Sequence, residues 1–233
     1  MDHKIRQIIE NSILKNKKQK KEFLLFSRIM IFIQDPLVGD SVNFDEITEG
    51  LEKHIPPHLF ENIDIIYVGQ QQELIDRELE ALYDSGAIYI TNTLSENIDY
   101  IENIIHENGH ALEEVHGLSI YGDGKIQREF VGKRERLFHI IKTQGHEIIG
   151  LDYSNPEYQQ DIDNFLYKEL GYDKLNYLIN GLFLNPYAVT SISEYFSSGL
   201  EKYLLDSTKR EQLRTFSPEL TKKIEELING YQN

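Results

Sequence analysis

The chain has 233 residues, 40% of them hydrophobic, enough for one sizeable core or a core with a small satellite lobe. A formal net charge of −15 argues against nucleic acid as the main partner, because neutralising phosphates needs clustered Lys and Arg, and the basic run Lys15 to Lys21 is short. With no cysteine there is no disulfide framework, no thiolate metal site and no cysteine nucleophile, so a transition metal has to be held by histidine and carboxylate side chains.

Residues 1–33 read as helical and break at Pro36 and Gly39, which makes 1–40 an N-terminal helical extension and 41–233 the main domain. Within the extension, FLLFSRIMIFI (23–33) has the apolarity of a signal-peptide core, but it starts late and carries Arg28, so it reads as a buried helix. No stretch approaches the ~20 apolar residues that span a bilayer. The expectation is a cytoplasmic or virion-associated chain with no signal peptide, no membrane segment and no membrane partner.

An amphipathic helix is predicted from residue 42 to 60, ended by Ile55-Pro56-Pro57, and IDIIYVG (63–69) has the β-branched and aromatic content of a strand. A helix from Gln71 to Asp84 follows, then a turn at Ser85 and Gly86, a second strand in AIYITN (87–92) and a helix beginning near Ile98. Beyond Gly117 the pattern predicts helices over 126–142, 156–170, 173–182, 190–206 and 217–229. The fold class is therefore α+β, with a small sheet in the first half and a helical C-terminal half.

The helix near Ile98 carries IIHENGHALEEVHG, residues 104–117. At about 100° per residue, His106 and His110 lie about 40° apart on one face, where two imidazoles can chelate one ion. Ile98, Ile101, Ile104, Ile105, Leu112 and Val115 mark the buried stripe on another side. Glu107 lies beside the histidines, placed to take a proton from water without itself being a ligand. His-Glu-x-x-His is the zincin signature, and Zn2+ is the expected cofactor. Asn108 falls in the apolar stripe and Gly109 weakens the helix by about 1 kcal/mol relative to Ala; neither has an explanation in the sequence.

A catalytic zinc takes three protein ligands and keeps one position open. His116 completes the spacing HExxHxxGxxH, but the eighth residue is Glu113 rather than glycine, and both methionines, Met1 and Met30, lie upstream of the motif. His116 is assigned instead to the helix end, before Gly117. Glu113 and Glu114 read as carboxylates of the cleft wall. Glu194, in NPYAVTSISEYFSSGLEKYL (185–204), lies opposite the apolar side formed by Ile192, Phe196, Gly199, Leu200 and Tyr203. Spacing alone leaves two roles open for it, the third zinc ligand or one half of a capping box with Ser191.

The segment YAVTSISEYF resembles the corresponding segment of the anthrax lethal factor peptidase domain and the related Pro-Pro endopeptidases. The resemblance implies a zincin-like fold of the HExxH…E (gluzincin) type, with His106, His110 and Glu194 on zinc, Glu107 as general base and Tyr187 at the oxyanion. The gap from His110 to Glu194 is longer than in lethal factor. IDIIYVG, GAIYITN and YGDGK are similar to segments of uncharacterised phage and bacterial metallopeptidases. The implied function is a zinc-dependent endopeptidase acting on a peptide or protein substrate. The alternative is a structural or interaction component, for example of a phage particle, that keeps the zincin fold among other proteins of a larger assembly.

Overall fold

The computed structural model describes residues 21–39 and 41–230. The chain divides between Ala111 and Leu112 into two compact units.

The first unit is built on a five-stranded mixed sheet of order β1-β2-β3-β5-β4. Its strands are β1 (Glu22–Leu25), β2 (Ile29–Ile33), β3 (Ile65–Val68), β4 (Ala81–Asp84) and β5 (Ala87–Ile90). β2, β3 and β5 are parallel, and β1 and β4 run antiparallel to them at the two edges. One face is buried, with Leu25, Ile29, Ile31, Ile66, Val68, Ile88 and Ile90 sealed from solvent. Helix α1 (Phe44–His54), capped by the Asn43 side chain on the Asp45 N–H, contributes Phe44, Ile47 and Leu51 to this core. The Phe44 ring meets Phe23 at 5.5 Å and Tyr100 at 5.0 Å. A short helix α2 (Gln72–Arg77) precedes β4, and the long helix α3 (Asn97–Tyr121) carries the His-Glu-x-x-His motif.

Two corrections to the expected elements belong to this unit. Residues 23–33 are not a buried helix: the described part of the expected helical extension is the β1–β2 hairpin, and residues 1–20 lie outside the described residues. A continuous apolar run is ambiguous between helix and strand, and here Phe23 and Leu25 point inward while Leu24 and Met30 point outward, a period of two. Phe26 and Ser27 turn the hairpin at positive φ (51° and 55°) without the glycine or asparagine that usually marks such a turn. The predicted helix over 71–84 stops at Glu78, in the left-handed region, and the chain continues as β4.

In the second unit, α4 (Lys125–Thr143), α7 (Ile192–Leu205), α8 (Ser207–Phe216) and α9 (Pro218–Ile228) surround a core that includes Phe130, Leu137, Phe138, Phe196, Leu200, Leu213, Leu220 and Ile224. Between α4 and α7 lie α5 (Gln160–Asn164), a π-helical stretch (Phe165–Leu170), α6 (Tyr172–Leu178) and a 3-10 turn (Tyr187–Val189). The predicted apolar side of the Glu194 helix holds throughout, since Ile192, Phe196, Gly199, Leu200 and Tyr203 are all buried. Gly199 is required by close approach: a Cβ there would stand 2.6 Å from Leu220 Cδ2. Helix α8 was not expected, because it is almost wholly polar and buries only Leu213; its start is fixed by Asp206 accepting the Thr208 and Lys209 N–H groups.

Arg134 is sealed inside this unit, its guanidinium donating to the carbonyls of Tyr153, Asn155, Val189 and Thr190. It ties the 153–155 loop to the end of the 3-10 turn that leads into α7. The Ile192 N–H donates to Pro156 O at 2.8 Å and strengthens the same junction.

Candidate metal centre

Helix α3 presents His106 and His110 one turn apart, both half-buried, with ring centroids 5.3 Å apart and planes at 76°. Ligand atoms of His106, Glu107 and His110 lie within 4.8 Å of one another, close enough to hold a metal ion. Tetrahedral ligands at 2.1 Å from zinc sit about 3.4 Å apart, a gap that small side-chain rotations close. Two imidazole nitrogens, from His106 and His110, are donors a borderline divalent ion takes in the absence of cysteine. The site therefore fits a metal by residue type and by spacing.

Glu107 is held from the sheet. The Thr91 N–H donates to Glu80 O at 2.8 Å, which makes Glu80–Thr91 and Leu82–Tyr89 the hydrogen-bonded pairs of the β4–β5 ladder and Tyr83–Ile88 a non-bonded pair. The Tyr83 N–H thus points off the open edge, and it donates to Glu107 Oε2 at 2.7 Å. A buried carboxylate needs such donors, and Glu107 is 7% exposed. Because β4 was expected to be helix, this anchor could not be found from the sequence. The predicted strand that precedes the motif helix, β5, is interior, and β4 forms the edge.

Asn108 is fully buried beside Glu107, with neither amide atom hydrogen-bonded, so its fall into the apolar stripe is real. Ile104, Ile105 and Leu112 of that stripe are also buried, but Ile98 and Val115 are 44% and 56% exposed. The helix does not end at Gly117 and continues to Tyr121, so His116 is not a helix-end residue. A continuing helix turns His116 about 80° from His106 and 120° from His110, and the metal-capable group includes only His106, Glu107 and His110 among the described residues.

Glu194 and Tyr187 belong to the second unit. Glu194 is half-buried in the first turn of α7, and its N–H donates to Ser191 Oγ at 3.1 Å. This is the serine's half of the expected capping box, its hydroxyl accepting from the backbone three residues on. Tyr187 opens the 3-10 turn after Pro186 and is 42% exposed. In the same unit Glu113 accepts from the Tyr121 hydroxyl and, at 2.6 Å, from Ser193 Oγ. Burial, followed by the charges of Glu113, Glu157 and Glu194, pushes the Tyr121 phenol far above its usual range, so it stays a neutral donor.

No helix among the described residues is long and apolar enough to cross a membrane. The chain matches no protein-family model, no curated protein and no solved structure.

Proposed function

We propose that the chain is a zinc-dependent endopeptidase in which His106, His110 and Glu194 hold the ion, Glu107 is the general base and Tyr187 donates to the developing oxyanion. The observation that carries the reading is the gathering of His106, Glu107 and His110 on one helical face, with the carboxylate anchored by the Tyr83 amide. Zinc held there would supply Lewis acidity, polarising the scissile carbonyl and acidifying water. Glu107 accepts a proton from water and passes it to the leaving amine; fixing one of its oxygens on β4 restricts the rotamers it samples. Tyr187 supplies a hydroxyl donor, and loss of such a donor typically costs about 10²–10³ in kcat.

Glu194 as third ligand rests on the resemblance described above.

The test is cleavage of a mixed peptide library by zinc-loaded wild type and by Glu107→Gln. Cleavage by wild type, lost in the variant with zinc content unchanged, is expected. A library left equally uncut by both would sink the peptidase reading and favour the structural alternative.

A further inference from the structure

The almost wholly polar helix α8 borders a cavity of about 610 Å³, a size usual for small-ligand sites. At about 100° per residue its Lys209, Gln212 and Phe216 share an arc of about 60°, and all three line the cavity. The rest of the lining comes from α6 and the turn that follows it. Asn176 and Tyr177 belong to α6, and Asn180 lies in the turn. There Gly181 reverses the chain at φ 76°, and the Leu182 and Phe183 N–H groups both donate to Ile179 O. Every lining residue belongs to the second unit.

Ile179, Phe183, Leu184 and Phe216 supply the apolar part of the lining. Phe183 is buried and meets Phe130 and Tyr195 edge-on at 6.0 Å and 5.6 Å. The Lys133 ammonium lies 5.9 Å from the Phe183 centroid and 5.1 Å from that of Phe216, so both rings are fixed before any ligand arrives. The polar part of the lining is uncommitted. The carboxamides of Asn176, Asn180 and Gln212, the Tyr177 hydroxyl and the Lys209 ammonium make no hydrogen bond or ion pair among the described residues, and Tyr177 is 80% exposed. In a chain with 39 Asp and Glu residues, none of the lining residues is acidic and one is a lysine.

Each carboxamide offers N–H donors and a carbonyl acceptor side by side, which matches neighbouring sugar hydroxyls that both give and accept. An exposed phenol ring and an apolar wall match the C–H face of a sugar ring. A lysine among residues without a carboxylate selects a negative ligand, and a single cation suits one carboxylate rather than the several charges of a nucleotide's phosphates. No strand borders the cavity, so the main-chain pairing that holds an extended peptide is not offered there. We propose that this cavity binds an acidic sugar, with the carboxamides on its hydroxyls, Tyr177 against its ring and Lys209 on its carboxylate. The proposal is independent of the metal centre and of the peptidase reading.

It is tested by NMR, following the side-chain amide signals of the nitrogen-15-labelled full chain during titration with methyl β-glucuronide. Free glucuronate, methyl β-glucoside, cyclohexanecarboxylate and acetyl-tetraalanine amide are titrated in parallel. The glucuronide should shift the Asn176, Asn180 and Gln212 signals saturably, and the glucoside, which lacks the charge-assisted hydrogen bond, should bind about tenfold more weakly. Cyclohexanecarboxylate, an acid without hydroxyls, should leave the signals in place. Binding of the glycoside as tightly as the free acid assigns the site to the end of a glycan, and binding of the free acid alone assigns it to the free sugar. Lys209→Met, at a half-buried position, should abolish the preference for glucuronide over glucoside, and Tyr177→Ala, at an exposed one, should weaken both about fivefold. No saturable shift with either form of glucuronate, or an equal response to cyclohexanecarboxylate, overturns the sugar site. A preference that survives Lys209→Met overturns the assignment to an acidic sugar, and tighter binding of the tetraalanine compound gives the cavity to a peptide instead.

Discussion

Replacing Lys133 with methionine should stabilise the chain at neutral pH. The ammonium of Lys133 is enclosed by Phe183, Tyr195 and Phe216, and donates to the Tyr195 hydroxyl at 2.6 Å and to the Ser217 hydroxyl. Burial brings its pKa down to about 8, against the pull of Glu129. Because the folded state holds this proton more weakly than the unfolded chain does, the burial penalty is complete below pH 8. It fades as pH rises from 8 toward the unfolded lysine value of 10.5. The shift corresponds to about 3 kcal/mol of destabilisation at pH 7. Methionine removes that penalty but strands the Ser217 hydroxyl, at about 1 kcal/mol, leaving a net gain of about 2 kcal/mol. Tyr195 keeps its bond to Glu129 at 2.9 Å. Urea unfolding at pH 7 and pH 10 reads the effect: the advantage of Lys133→Met should be present at pH 7 and nearly gone at pH 10. A variant less stable than wild type at pH 7, or a difference unchanged between the two pH values, would refute the reasoning.

Three core substitutions test the packing. Gly199→Ala, whose Cβ would press on Leu220 at 2.6 Å, should cost about 1–3 kcal/mol in thermal or urea unfolding, and an unchanged midpoint would show that α7 and α9 separate easily. Asn108→Ala removes an amide with no hydrogen bond and should change stability by less than about 1 kcal/mol. Asn92→Ala, in contrast, breaks the 2.6 Å bond to Pro36 O and should cost about 1–3 kcal/mol. If Asn108→Ala proves the costlier of the two, the amide has a partner in solution.

What could be read from the sequence was what depends on residues near one another along the chain. His106 and His110 share a face because four residues make about one helical turn, and β3 and β5 are marked by β-branched and aromatic runs that few other elements use. The hairpin over 22–33 was misread because eleven nearly continuous apolar residues carry no phase, and its turn uses Phe26 and Ser27. β4 was misread because Glu80, Ala81 and Leu82 favour helix locally and become strand only through pairing with β5. The Tyr83 anchor of Glu107 is a backbone group on that misread strand, so no side-chain pattern could reveal it. The π-helical stretch Phe165–Leu170 has a period that a search at 3.6 residues passes over.

The most direct test of the zinc centre is a crystal structure with anomalous data collected across the zinc edge. The account predicts one ion bound by nitrogens of His106 and His110 and by the Glu194 carboxylate, at about 2.0–2.2 Å, with Glu107 beside it and outside the ligand set. An ion bound without Glu194, or no zinc peak at His106 and His110 from zinc-saturated crystals, would contradict it.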